Sequence, residues 1–240
     1  MKVGVITPAY NEERFIGACI DQFRGFEVEH LVLVSKKPWA GEALTPDGTE
    51  RIARQKGATV MVDNFPPDEG QRHVGLEYFE KKGFDWCLIV DADEFYTKVD
   101  IEKILKYLKK ADKDVYKSER MYVYFKDPDY IALRYDGHHG PPVIAMRPHV
   151  RFRHIRDIDY PDYFIPETTL YHLSYIRTNE ELLKKIGSWG HSHEITPGWY
   201  ENVWLKWTPE MMNFHPTEPN IFYKSVVEVL PYEIRRRLKF

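Results

Sequence analysis

The sequence reads as an α/β protein: a mostly parallel sheet flanked by helices, followed by a mixed-sheet and irregular extension. Three observations predict this. Short apolar runs (Val3-Gly4-Val5-Ile6, Leu31-Val32-Leu33-Val34 and Cys87-Leu88-Ile89-Val90) have the character of strands buried on both faces. Segments with helical spacing separate them. Gly57 and Gly83 then close two of those helical segments just ahead of the next strand.

Taken in order, residues 3–7 form the first strand. Residues 12–24 carry Phe15, Ile16, Cys19, Ile20 and Phe23 on one helical stripe. A second strand covers 30–35, a short helix 47–56 and a third strand 58–62. The helix at 69–82 turns Val74, Tyr78 and Phe79 inward, and 85–90 is the fourth strand. Right-handed crossovers place the loops after these strands on one edge. Thr7–Asn11, Ser35, Asp63–Asn64 and Asp91–Glu94 are therefore expected to converge. After Asp100 comes a helix striped with Ile101, Ile104, Leu105 and Leu108, then a strand over 114–125. The Pro-, His- and Arg-rich stretch 126–172 carries strand-like patches at 130–134 and 143–153. Thr178-Asn179-Glu180-Glu181 has the pattern of a capping box opening a helix through Ile186. Pro209, Pro216, Pro219 and Pro231 break the tail into short helices and loops.

Composition bounds the function classes. At 240 residues, 43% hydrophobic and 30% charged, the chain describes an ordinary globule with ample core. A formal net charge of -3 gives no global pull toward nucleic acid or anionic lipid. No apolar stretch is long enough to span a bilayer and no charged leader precedes one. Cys19 and Cys87 both fall in apolar patterns, which predicts buried reduced thiols and a cytoplasmic location.

The most informative stretch is the fourth strand running into Asp91-Ala92-Asp93-Glu94. Ligands of parallel sheets bind at the carboxyl ends of the strands. Strand alternation would point Asp91 and Asp93 to one side, where two like charges are costly unless a cation neutralises them. A hard divalent ion held by one or two carboxylates plus substrate phosphates is the simplest neutraliser. The stretch therefore predicts a metal–diphosphate site.

The strand followed by Thr7-Pro8-Ala9-Tyr10-Asn11-Glu12 and an amphipathic helix, with Asp91-Ala92-Asp93 later, resembles the family 2 glycosyltransferases of GT-A fold. Gly70-Gln71-Arg72-His73-Val74-Gly75-Leu76 is similar to that family's helix before the acidic strand. Leu170-Tyr171-His172-Leu173-Ser174-Tyr175, followed by Arg177 and a Lys-bearing helix, is similar to the ending of some members. The resemblance implies a metal-dependent hexosyl transfer from a UDP- or GDP-linked sugar to an acceptor hydroxyl, with inversion. It divides one continuous domain into a nucleotide-sugar half, 1–125, and an acceptor-side half, 126–240. It implies Mn²⁺ or Mg²⁺ on Asp93, with Asp91 on the metal or ribose and His172 completing the set. It also implies that Pro8, Ala9, Tyr10, Glu12, Arg72 and Ala92 line the nucleotide-sugar site. One departure from the family is Ser35-Lys36-Lys37 where relatives place a base-reading Asp, which shifts that role to Ser35 or Asp63.

An inverting transferase needs a base for the acceptor hydroxyl. Asp157 and Asp159 occupy the interval the resemblance assigns to it, with Glu167 and Asp136 as competitors. An ion pair with a neighbouring Arg is the structural alternative for Asp157. His138-His139-Gly140-Pro141-Pro142 forms a rigid loop that either lines the acceptor cleft or is an ordinary turn. His191 and His193 have the spacing of two ligands on one strand face, and Trp189, Trp199, Trp204 and Trp207 are expected to pack as core aromatics. Three other readings stand beside the transferase. They are a nucleotidyltransferase, a metal-dependent hydrolase on the late histidines, and a carbohydrate-binding module on the Trp cluster. The acceptor stays open among glycan, lipid, protein and nucleic acid.

Overall fold

A computed structural model describes residues 1–67, 69–134 and 140–240. The first half is the expected parallel unit. Strands β1 (Val3–Ala9), β2 (Val28–Ser35), β3 (Thr59–Asp63) and β4 (Trp86–Ile89) lie in the order β4-β1-β2-β3, every pair parallel. Helices α1 (Glu13–Asp21), α2 (Thr49–Gln55) and α3 (Glu69–Lys81) make the crossovers. β1 is buried along its whole length, as a central strand covered on both faces must be.

Helix α3 sits close on that strand. A Cβ on Gly75 would fall 2.6 Å from Ile6, so the absence of a side chain sets the helix–sheet distance. Leu76 and Phe79 then pack into the core beneath it. This close seat brings Gln71 and Arg72 to the carboxyl ends of β1 and β4.

The second half extends the same sheet with mixed pairings. Its elements are β5 (Glu94–Phe95), α4 (Lys98–Leu108), β6 (Val115–Phe125), β7 (Asp127–Arg134) and β8 (Val143–Met146). They are followed by β9 (Phe164–Tyr175), α5 (Asn179–Ser188), β10 (Phe222–Val227) and α6 (Tyr232–Leu238). The order β10-β7-β6-β8-β4-β1-β2-β3 carries the sheet across the molecule. β8 bridges the halves, pairing antiparallel with both β4 and β6. β9 runs parallel to β6 and antiparallel to β5. The expected capping box at Thr178 and Glu181 opens α5, and a second one, Thr97 with Asp100, opens α4 ahead of the position the sequence suggests.

Two strands differ from expectation. The patch at 143–153 is a strand only to Met146, where Arg147-Pro148 ends the ladder. The twelve-residue β9 is the larger surprise. Pro166 and a left-handed Glu167 (φ 54°) interrupt its pattern, and its register against β6 shifts between Ser118 and Arg120. β10 follows the proline-rich tail and caps the far edge on β7.

The core lies on both faces of the sheet, with a third, aromatic cluster beneath the extension. Phe125 is the hub of that cluster, with Trp204, Phe214 and Trp207 at 5.5, 4.8 and 5.6 Å between ring centroids. Trp199, Trp204 and Trp207 are thus packing residues. Cys19 and Cys87 are buried free thiols. No helix among the described residues is long and apolar enough to cross a membrane.

Candidate active site

The acidic pair does not sit on a strand. β4 ends at Ile89, and residues 91–94 form a turn closed by the Glu94 amide donating to the Asp91 carbonyl at 2.9 Å. The Glu94 carboxylate in turn accepts from the Asp91 amide at 2.9 Å. Strand alternation therefore does not govern the two aspartates, and they face different partners. Arg72 donates to both Asp91 oxygens at 2.9 and 3.1 Å, and Arg156 stands 3.5 Å away. Lys185 lies 2.5 Å from Asp93, Arg177 3.2 Å and the His172 ring 3.5 Å.

Two like charges side by side are expected to need an added cation. The fold supplies cations of its own. Glu12, Asp91, Asp93 and Glu94 are met by Arg72, Arg156, Arg177 and Lys185. Burial pushes the Asp91 carboxyl upward, but Arg72 and Arg156 overcome it and hold it below its ordinary value. Burial acts the same way on Asp93, and Lys185, His172 and Arg177 hold it well below the usual carboxylate range. Glu94 goes the other way: burial raises it despite Arg156 at 2.5 Å.

No group of three or more His, Cys, Asp or Glu side chains arranged to hold a metal ion occurs among the described residues. Asp93 Oδ1 and His172 Nε2, 3.5 Å apart, are a two-donor set of the kind a hard ion uses when substrate phosphates complete its shell. Asp91, with both oxygens held by Arg72, does not fit as a direct ligand.

Around this turn lies a cavity of about 320 Å³. Pro8, Ala9, Tyr10, Glu12, Arg72, Asp91, Ala92, Asp93 and His172 all line it, so the loop after β1, helix α3, the acidic turn and β9 do converge. The Tyr10 hydroxyl accepts from the Leu44 amide at 2.7 Å, which ties this loop to the segment after β2. Glu12 is committed to Arg177, which donates to its two oxygens at 3.0 and 2.7 Å, so its carboxylate is not free for ribose.

Other expected residues stay outside. Ser35 is buried and spends its hydroxyl on the Lys37 carbonyl at 2.7 Å. Asp63 is exposed at the end of β3, which β1 and β2 separate from β4, and does not line the cavity. Asp157 is exposed and pairs with Arg153 at 3.1 Å, and Asp159 is exposed beside it. Their loop turns them to solvent while the preceding Arg156 points inward to Glu94. Glu167 is exposed too, held by Lys103 at 2.9 Å. Asp136, His138 and His139 lie outside the described residues.

The structure adds residues the pattern concealed. Trp39, in an irregular polar loop, donates through Nε1 to Gln71 at 2.9 Å and lies 5.2 Å under the Arg72 guanidinium. A lone Trp among Lys37, Pro38 and Ala40 was the available cue. His191 lines the cavity with its Nδ1 2.9 Å from Glu194, while His193 is 74% exposed. The two histidines flank Ser192 in a single turn of 3-10 helix, so the strand-face ligand pair does not form.

No protein-family model and no curated protein matches the sequence. Among solved structures, S. aureus TarS 1-349 is similar with a TM-score of 0.45 and 16% identity, over 72% of this chain and 61% of that one. The same protein in complex with UDP-GlcNAc gives 0.37 and 21%, over 59% and 37%. The 4-diphosphocytidyl-2C-methyl-D-erythritol synthase from Anaerococcus prevotii gives 0.42 and 11%, over 76% and 93%. The chain spans 22% to 61% of the length of the TarS chains it matches. At these TM-scores the likenesses carry no argument, and the α/β assignment rests on the strand order itself.

Proposed function

We propose that the protein is a transferase that moves a sugar from a UDP- or GDP-linked donor to an acceptor hydroxyl, with inversion. The observation that carries this reading is the convergence of an acidic turn, Arg72, Lys185 and His172 in one cavity at the carboxyl ends of β1 and β4. Tyr10 and Trp39 offer flat faces for the base. Arg72 and Lys185 meet the diphosphate, and the negative charge that builds on it as the glycosidic bond breaks is stabilised by fixed cations. A Mn²⁺ or Mg²⁺ on Asp93 and His172 would add Lewis-acid neutralisation of the same charge.

On the acceptor side, His191 is the base this geometry supports. Glu194 fixes its Nδ1, which leaves Nε2 to take the hydroxyl proton. Asp157 and Asp159 are not proposed for that role.

Calorimetry with UDP and GDP, with and without Mn²⁺, tests the reading. One of the two nucleotides is expected to bind, with affinity raised by Mn²⁺ and that gain lost in Asp93→Asn. Absence of binding by both would overturn it. With a nucleotide-sugar, release of nucleoside diphosphate marks glycosyl transfer, whereas release of pyrophosphate during donor formation marks nucleotidyl transfer.

A further inference from the structure

Among the described residues, the cations around the acidic turn are each paired with a carboxylate, and Arg134 in the same cavity is not. Arg134, the last residue of β7, lines the cavity, and its Nε is buried with no hydrogen-bond partner. It forms no ion pair among the described residues. Burial lowers its pKa and the Tyr175 hydroxyl opposes that shift, with no carboxylate among the described residues acting on it. A guanidinium turned into a mostly apolar pocket without a counter-ion is costly, and the cost is recovered when an anion fills the site.

The strand pairings locate this charge. His172 on β9 lies opposite Val123 on β6, which lies opposite Ala132 on β7. Arg134 follows Ala132 by two residues and so shares its face. At about 4.8 Å per strand, β7 stands roughly 10 Å from β9. The sheet order puts β7 on the side of β6 away from β1 and the Tyr10 loop. A diphosphate held at Arg72 and Lys185 does not extend that far, but a sugar ring and its linkage to the next group do. Met121, Val123, Tyr175 and Phe222 wall the space between.

We propose that Arg134 receives a carboxylate or phosphate carried by the acceptor or by the transferred sugar. The protein, on the transferase reading above, therefore acts on a charged substrate. The planar guanidinium offers parallel donors that match either anion.

Two matched pairs of probes test this in the wild type, Arg134→Gln and Arg134→Lys. Glycerol 3-phosphate against glycerol, titrated with and without UDP, reports an acceptor anion. UDP-glucuronic acid against UDP-glucose reports an anion on the donor sugar. The wild type is expected to favour the anionic member of one pair by roughly tenfold. Arg134→Gln should abolish that preference without changing UDP affinity, and Arg134→Lys should retain most of it. Equal affinity within both pairs, or a preference that survives Arg134→Gln, would overturn the assignment. Failure of both UDP and GDP to bind would instead refute the transferase reading, and the glycerol 3-phosphate arm without nucleotide would still report on Arg134.

Discussion

Arg177 ties together the two motifs that define the site, and its removal has a calculable cost. Its guanidinium is 4% exposed, clamped between Glu12 (14%) and Asp93 (5%), and lies 4.8 Å over the Phe15 ring. In Arg177→Met the methionine fills the volume above Phe15 but leaves two buried carboxylates facing one another. Removing one partner of a buried pair costs about 3–5 kcal/mol. Lys185, 3.7 Å from Glu12 and 2.5 Å from Asp93, stays in place and offsets part of this, which places the expected loss at the low end. About 3 kcal/mol in a chain of this size lowers Tm by roughly 6–12 °C. Urea unfolding at neutral pH measures it. Glu12→Gln combined with Arg177→Met is expected to recover part of the loss, because one of the stranded charges is gone. A loss under about 1 kcal/mol, or a double variant as unstable as the sum of the singles, would refute the view that these charges depend on one another.

His191→Ala should reduce turnover about 10²–10⁴-fold with nucleotide affinity unchanged, a split that separates acceptor activation from donor binding. Lys185→Met removes the ammonium 2.5 Å from Asp93 Oδ2 while Arg177 stays on that oxygen, and the lost positive charge is expected to enlarge the gain in UDP affinity from Mn²⁺ several-fold; an unchanged gain by calorimetry would mean that ammonium and metal do not compete. His30 is buried beside Thr7 and burial lowers its pKa to about 3, below the unfolded value near 6.5. The unfolded chain therefore binds the proton first, and stability falls as pH drops from 6.5 toward 3; His30→Gln should flatten that slope in pH-dependent unfolding curves. Gly75→Ala drives a Cβ to within 2.6 Å of Ile6 and is expected to cost about 1–3 kcal/mol by denaturant unfolding, with weaker nucleotide binding as Arg72 moves with the helix.

The parallel half was legible because its information is local. Leu31–Val34 and Cys87–Val90 announce buried strands by composition, and the stripe from Phe15 to Ile20 announces a helix by spacing. Right-handed crossovers then bring the loops after β1 and β4 together, so the sequence itself makes Tyr10, Asp91 and Asp93 neighbours. The same rule overreached for Ser35 and Asp63, because strand ends on one edge still differ by several ångströms in how near they come to the cavity.

What the chain order could not reveal was the charge balance of the site. Arg156 lies among Arg151 and Arg153 with nothing local to mark it, yet it alone of the three turns inward, to within 2.5 Å of Glu94. Lys185 and Arg177 reach Asp93 from about ninety residues away, and Arg134 reaches the cavity only because β7 aligns with β6 and β9. Hydrophobic period is a property of neighbours along the chain and is therefore written in sequence. Which cation faces which carboxylate is settled by strand pairing across the sheet, because Coulomb energy depends on separation in space and on the dielectric that burial creates.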